Sequence, residues 1–356
     1  MMSATDATWS VAMNGRATFS WDYDAGNERL LSLYRKGKDK QWDQERRIDW
    51  DVPTDPDDPL GMPDVMVPLY GSPTWAKLGP KNIAELRLHG AAWQFSQFLH
   101  GEQGALICAS RLVESVPGID AKLYAATQVV DEARHTEIFS RFLTERVGVQ
   151  YPINQNLASL LDDTLTDSRW DLPYLGMQVL IEGLALAAFG LLRDMTTQPL
   201  ARQILAYVMQ DEARHVAFGR LALRDYYREI DARERAERED FVIEACYRMR
   251  DRFLWTDVIV ALGYERSKSP ETRPNREALR MFQRALFGRI VPCVRDIGLW
   301  TDRVRAAYAD IGVLDLADVD LQAAMARDED LAEQEDRARD ARVAEVGEMI
   351  ARGADG

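Results

Sequence analysis

The stretches Asp131-Glu-Ala-Arg-His135 and Asp211-Glu-Ala-Arg-His215 are the same pentapeptide written twice, 80 residues apart. Each follows a lone glutamate at the same interval: Glu102 precedes Glu132 by 30 residues, and Glu182 precedes Glu212 by 30. The lone glutamates sit in apolar surroundings, the second in LIEGLALAAFGLL, where a helical carboxylate is costly to bury without a partner. Within each pentapeptide Glu and His stand at i and i+3, so both leave one face of a helix. Four carboxylates and two imidazoles in this order match the donor set of a carboxylate-bridged two-metal site inside a four-helix bundle.

Helix geometry supports that reading. About 14 residues separate Glu102 from the break at Val116–Gly118, and 13 lead back from Ile119 to Glu132. At 1.5 Å per residue each arm travels roughly 20 Å, so two antiparallel helices bring both glutamates to one height. Glu182 and Glu212 do the same around the turn at Thr196–Pro199. Repeated neighbours reinforce the internal duplication: Ala105 and Leu106 correspond to Ala185 and Leu186, and Leu99 to Val179.

Working outward, the chain reads as all-α. Helices are expected over about Ala25–Trp42, Pro80–Ser115, Ile119–Val147, Leu157–Asp167, Pro173–Met195 and Pro199–Ile230, with Pro at the first turn of the last two and of the one from Pro80. VPTDPDDPLGMP at 52–63 is a loop. Three regions follow: an N-terminal extension at 1–79 packing on the bundle, the bundle itself at 80–230, and a helical extension at 231–356 whose charge runs are solvated faces. The segment LYRKGKDKQWDQERRIDW reads as an amphipathic stretch laying Tyr34, Trp42 and Trp50 on the bundle.

Composition excludes several roles. The 356 residues are 46% hydrophobic and carry a formal net charge of −14, which disfavours nucleic acid as a partner. The cysteines, Cys108, Cys246 and Cys293, are few and widely spaced, suggesting neither disulfides nor a thiolate zinc site. No secretory signal is visible, and the longest apolar run, Met177–Leu192, falls short of the about 20 residues a bilayer needs. The expectation is a cytoplasmic protein with no membrane partner. Mixed oxygen and imidazole donors suit iron or manganese better than magnesium or calcium, and the absence of thiolates argues against structural zinc.

Asp131 and Asp211 flank the donors and are expected to orient the imidazoles, with Arg134 and Arg214 paired to them; the pairing between aspartate and histidine is left open by the sequence. His89 and His100 fall off the donor face. A substrate pocket is expected among Phe98, Ala105, Leu106, Gln128, Phe139, Gln178, Ala185, Leu186 and Phe189, one or two turns from the metal-facing carboxylates. Small residues there (Gly183, Ala185, Ala187, Ala188) favour an apolar or aromatic guest, and no lone cation stands out to hold a carboxylate.

Over about residues 80–230 the doubled motif resembles the ferritin-like di-iron carboxylate superfamily, in the branch of bacterial monooxygenases, acyl-carrier-protein desaturases and ribonucleotide reductase small subunits. The resemblance implies a ferritin-like four-helix bundle with extra N- and C-terminal helices. Its six metal ligands, which are also the catalytic set, would be Glu102, Glu132, His135, Glu182, Glu212 and His215. It further implies two iron ions or a manganese–iron pair, O2 as co-substrate, an external electron donor such as a reductase or ferredoxin, and a homodimer. Four departures narrow the choice. Phe139 occupies the place of a radical tyrosine, and the first ligand is Glu102 rather than aspartate, which disfavours radical storage. Ala185 and Leu186 stand where oxygenases carry a threonine. Val208 stands where arylamine N-oxygenases carry a third histidine, which disfavours that group. The expected function is a di-iron monooxygenase that hydroxylates or epoxidises a small apolar or aromatic substrate. The alternatives are an oxidase, desaturase or N-oxygenase on the same centre, or a metal- or radical-carrying subunit.

Overall fold

Apolar helix faces with no partner of their own must be covered by other helices, and a computed structural model shows how this chain does so. It describes residues 17–20, 23, 27–250, 255–264 and 275–354, with side chains described to residue 345. The long helices are α1 (Glu28–Asp39), α2 (Pro80–Ser115), α3 (Ile119–Phe142, continued by a wider-wound turn over Leu143–Val147), α4 (Gln155–Thr166), α5 (Asp171–Met195), α6 (Pro199–Tyr226), α7 (Ala232–Arg250) and α8 (Leu321–Ala354). Shorter helices fill the interval between α7 and α8, and no strand occurs among the described residues.

Two hairpins form the bundle. α2 packs along α3, and α5 along α6; α4 crosses between the hairpins. Their ends follow local chemistry. Pro80 and Pro199 open α2 and α6, where a missing N–H costs nothing. Asn154 caps α4 by accepting from the Leu157 N–H at 2.8 Å. Gly148, in the left-handed region at φ 73°, ends the α3 run.

α1 leans on α3 and α6, and α8 on α6. The expected N-terminal helix is shorter than its pattern suggested. Asn27 caps it, and it stops at Asp39, so Gln41 and Trp42 leave the helix and turn toward the bundle. Ala25, the expected start, lies outside the described residues.

α5 is the most apolar element. Its 25 residues are long and apolar enough, by length and composition, to cross a bilayer, more than the run Met177–Leu192 alone implied. Its most apolar window is 83% buried inside the fold, so that character serves the protein core. Residues Leu175–Ile181 of α5 are wound as a π-helix, directly before Glu182; such widened turns concentrate at functional sites. All three cysteines are buried free thiols.

Candidate metal centre

The matched arms deliver their carboxylates to one layer. Glu102 comes from α2, Glu132 and His135 from α3, Glu182 from α5, and Glu212 and His215 from α6. Two overlapping groups result: Glu102, Glu132, His135 and Glu212 in one, and Glu132, Glu182, Glu212 and His215 in the other, with the donor atoms of each within 4.8 Å of one another. Glu132 and Glu212 belong to both groups, the place a bridging carboxylate must occupy. All six side chains are buried.

The imidazoles face inward through Nδ1. His135 Nδ1 lies 3.1 Å from Glu212 Oε1 and 3.2 Å from Glu102 Oε2, and His215 Nδ1 lies 3.0 Å from Glu132 Oε1. Their Nε2 atoms point outward and donate to aspartates in a crossed pattern. His135 donates to Asp211 at 3.1 Å and His215 to Asp131 at 3.2 Å, so each half of the repeat orients the histidine of the other. Arg134 donates to both aspartates, reaching Asp211 at 2.8 Å; Arg214 donates to Asp211 and lies 4.0 Å from Asp131.

Two residues outside the bundle complete this outer layer. Gln41 donates to Asp131 at 2.7 Å and accepts from Arg134 at 2.9 Å. The Trp42 indole N–H donates to Asp211 at 2.9 Å, and its ring lies under the Arg134 guanidinium and edge-on to Tyr207. Sequence reading missed both roles. The packing of Trp42 on the bundle follows from its amphipathic segment, but its acceptor stands 169 residues away.

Electrostatics show what the cluster lacks. Burial, then repulsion from Glu212, raises Glu102 well above the usual carboxylate range. Burial and repulsion from Glu212 and Glu132 do the same to Glu182. For Glu132 burial pushes upward, but His215 and His135 outweigh it and hold the carboxyl low. Burial opposes the charge on both imidazoles, yet the surrounding carboxylates lift His135 and His215 well above an ordinary histidine. Glu132 Oε2, Glu182 Oε2, both oxygens of Glu212 and His215 Nδ1 are buried without a hydrogen-bond partner. Such orphans are rare and costly, and a pair of divalent cations satisfies them and the excess negative charge together. The donor set therefore fits a dimetal cofactor.

Beside the donors lies a narrow pocket of about 20 Å³, at the seam of α2 and α5. Its lining obeys the repeat: Gln97 corresponds to Met177, Gly101 to Ile181, Glu102 to Glu182 and Ala105 to Ala185, with Phe98 and Glu212 added. Of the nine expected lining residues, Phe98, Ala105 and Ala185 are there. The others are placed differently. Phe139 and Phe189 close an aromatic cluster with Phe95, Phe98 and Phe142. Gln128 donates to Glu132 and Glu182, and Gln178 donates to Gln128. Leu186 is core, and Leu106 is half-buried beside it in sequence register but off the pocket. The cavity beside the donors lies on the α2–α5 seam, one helical position round from the faces the periodicity selected. His89 and His100 stand apart, contacting Tyr151.

Known proteins place the chain. Two solved structures of similar fold are single-substitution variants of an R2-like ligand-binding oxidase, each with an anaerobically reconstituted Mn/Fe cofactor. One is 17% identical with a TM-score of 0.51, the other 16% identical with a TM-score of 0.50, and each likeness covers 78% of this chain and 96% of the other. No curated protein sequence matches this one. The sequence model of the p-aminobenzoate N-oxygenase AurF family matches residues 24–298. This corrects the expectation drawn from Val208. That buried valine removes one histidine position, but the match runs through the N-terminal segment, the bundle and part of the C-terminal extension. One absent histidine does not outweigh a likeness of that extent, and the chain belongs to the AurF family, a ferritin-like group of O2-dependent di-iron oxidoreductases.

Proposed function

We propose that the protein is a monooxygenase acting on a small, largely apolar aromatic substrate, with Glu102, Glu132, His135, Glu182, Glu212 and His215 as the metal ligands. The observation that carries this reading is the position of the buried carboxylates: Glu182 and Glu212, which hold unpartnered oxygens, form with Glu102 one wall of a pocket whose remaining walls are mostly apolar. Glu132 and Glu212 would bridge the ions, Glu102 and Glu182 would each bind one, and each histidine would add one nitrogen. When bound, the metals supply the reduction of O2, one oxygen atom entering the substrate and the other leaving as water with two electrons from an external reductase.

The chain's own residues do the rest. The crossed aspartates hold the imidazoles with Nδ1 turned inward, and the five-phenylalanine cluster keeps water from that side of the bundle. The pocket as folded has room for about one water molecule. A substrate enters by displacing the Met177 and Ile181 side chains, Met177 being the more pliable. No Lys or Arg lines the pocket, so the part of the substrate it receives is uncharged.

Membership of a family named for N-oxygenation of p-aminobenzoate favours an aryl nitrogen as the oxidised atom. The apolar lining favours a second reading, hydroxylation or epoxidation at carbon, and the two are separable. Protein loaded with Fe(II) under anaerobic conditions, then given O2, a chemical reductant and either a neutral aniline or an aromatic hydrocarbon, is assayed for product. Conversion of the aniline to its hydroxylamine or nitro compound supports N-oxygenation, and a phenol or epoxide from the hydrocarbon supports the second reading. Two bound irons without product from either class would defeat the substrate assignment. Failure to bind two irons would defeat the ligand assignment.

A further inference from the structure

The two halves of the repeat carry the same ligands but not the same neighbours. Gln128 is fully buried one turn before Glu132, and its amide nitrogen has two protons to give. It stands 3.1 Å from Glu132 Oε1 and 2.8 Å from Glu182 Oε1, so one side chain ties a ligand of the first half to a ligand of the second. The Oε2 atoms of both glutamates are buried without a hydrogen-bond partner and remain available to an ion. Gln178 steadies the clamp, its amide nitrogen 3.4 Å from Gln128 Oε1. Gly219 makes room for it: a Cβ on that glycine would lie 2.5 Å from Gln178 Cβ.

Advance each of these residues or step it back by 80 and the clamp vanishes. Gln128 maps onto Val208, Gln178 onto Phe98, and Gly219 onto Phe139. Val208 offers no donor to Glu102. Phe98 and Phe139 pack ring against ring at 5.7 Å where the amide and the glycine stand in the other half. Glu102 is therefore met by the His135 Nδ1 at 3.2 Å, an atom that an ion would claim for itself.

We propose that Gln128 is a positioning residue that makes the two metal positions unequal. The position at Glu182 and His215 is clamped in one geometry, and the position at Glu102 and His135 keeps a carboxylate free to swing. The inference rests on the six-ligand reading and adds an ordering to it: the clamped position fills first and holds its ion more tightly.

The test uses the full chain, loaded anaerobically with iron-57 as Fe(II), with Mössbauer spectra and chelator competition as readouts. The wild type is expected to show two quadrupole doublets of equal area and two separable affinities. In Gln128→Val, which copies Val208, the tighter affinity should weaken about 10- to 100-fold, the usual cost of losing a partner behind a metal ligand, and the doublets should draw together. Val208→Gln should draw them together from the other side, by tightening the weaker position, and serves if Gln128→Val does not fold. A single doublet in the wild type, or Gln128→Val with unchanged doublets and affinities, would overturn the clamp while leaving the ligand set standing. Binding of no iron by the wild type would remove both.

Discussion

The half that holds Glu102 and the half that holds Glu182 share a pentapeptide, a spacing and a hairpin geometry, and differ in what stands behind the proposed metal ligands. One backs its lone glutamate with Phe98, Phe139 and Val208, the other with Gln128, Gln178 and Gly219. Duplication supplies a symmetric donor cage. Local substitution then sets a dry aromatic wall on one side and an amide network on the other. A symmetric ligand set thus does not imply two equal metals.

The largest effect should come from breaking what the halves share. Glu212→Ala removes a carboxylate common to both groups, so elemental analysis after Fe(II) loading should find about no tightly held iron. His135→Ala or His215→Ala removes a ligand from one group and should leave at most about one, with far-UV circular dichroism unchanged in all three. Two irons in Glu212→Ala would refute the shared role.

Next comes the crossed orientation. Asp211 receives His135, Trp42, Arg134 and Arg214, whereas Asp131 receives His215, Gln41 and Arg134. Asp211→Asn should therefore weaken the ion beside His135, and Asp131→Asn the ion beside His215, each by about 10- to 100-fold in chelator competition. An effect on the histidine of the same half instead would break the crossing.

Proton release follows from the raised imidazoles. His135 and His215 are held protonated above the usual histidine range without metal, and a ligating imidazole must be neutral, so loading expels protons and iron affinity rises with pH. Titration in weak buffer near pH 7 should release at least about two protons for two ions. Release of none would mean the imidazoles do not ligate.

The pocket gives the smallest and most selective change. Gly101→Ile copies Ile181 across the seam into open space, since a Cβ at Gly101 meets nothing within 4 Å. Iron content should stay at two, while kcat/KM for the larger aromatic substrates falls about 10-fold or more, the scale on which an occupied apolar pocket discriminates. Unaltered turnover would move the entrance elsewhere.

Much of this was legible in the sequence because it is periodic. The bounds Pro80–Ser115 are marked by a proline and by the VPG stop, and the equal 30-residue intervals bring Glu102, Glu132, Glu182 and Glu212 to one height. The pocket is less legible. Periodicity selects interior positions such as Gln128 and Phe139, whereas the small cavity beside the donors is lined at seam positions such as Gly101 and Met177, one helical position round. Gln41 and Trp42 were not legible as partners of the aspartates, since an irregular segment carries no register to project across the fold.

That irregular segment has a consequence for anyone who would borrow this centre. The doubled pentapeptide looks like a portable cassette, the four bundle helices and the crossing α4 from Pro80 to Tyr226 with six side chains. Yet the acceptors behind the histidines are finished by residues that precede the cassette, so a graft of the bundle alone would transplant the ligands and leave behind part of what aims them. The unit that can be moved is the bundle together with its N-terminal strap.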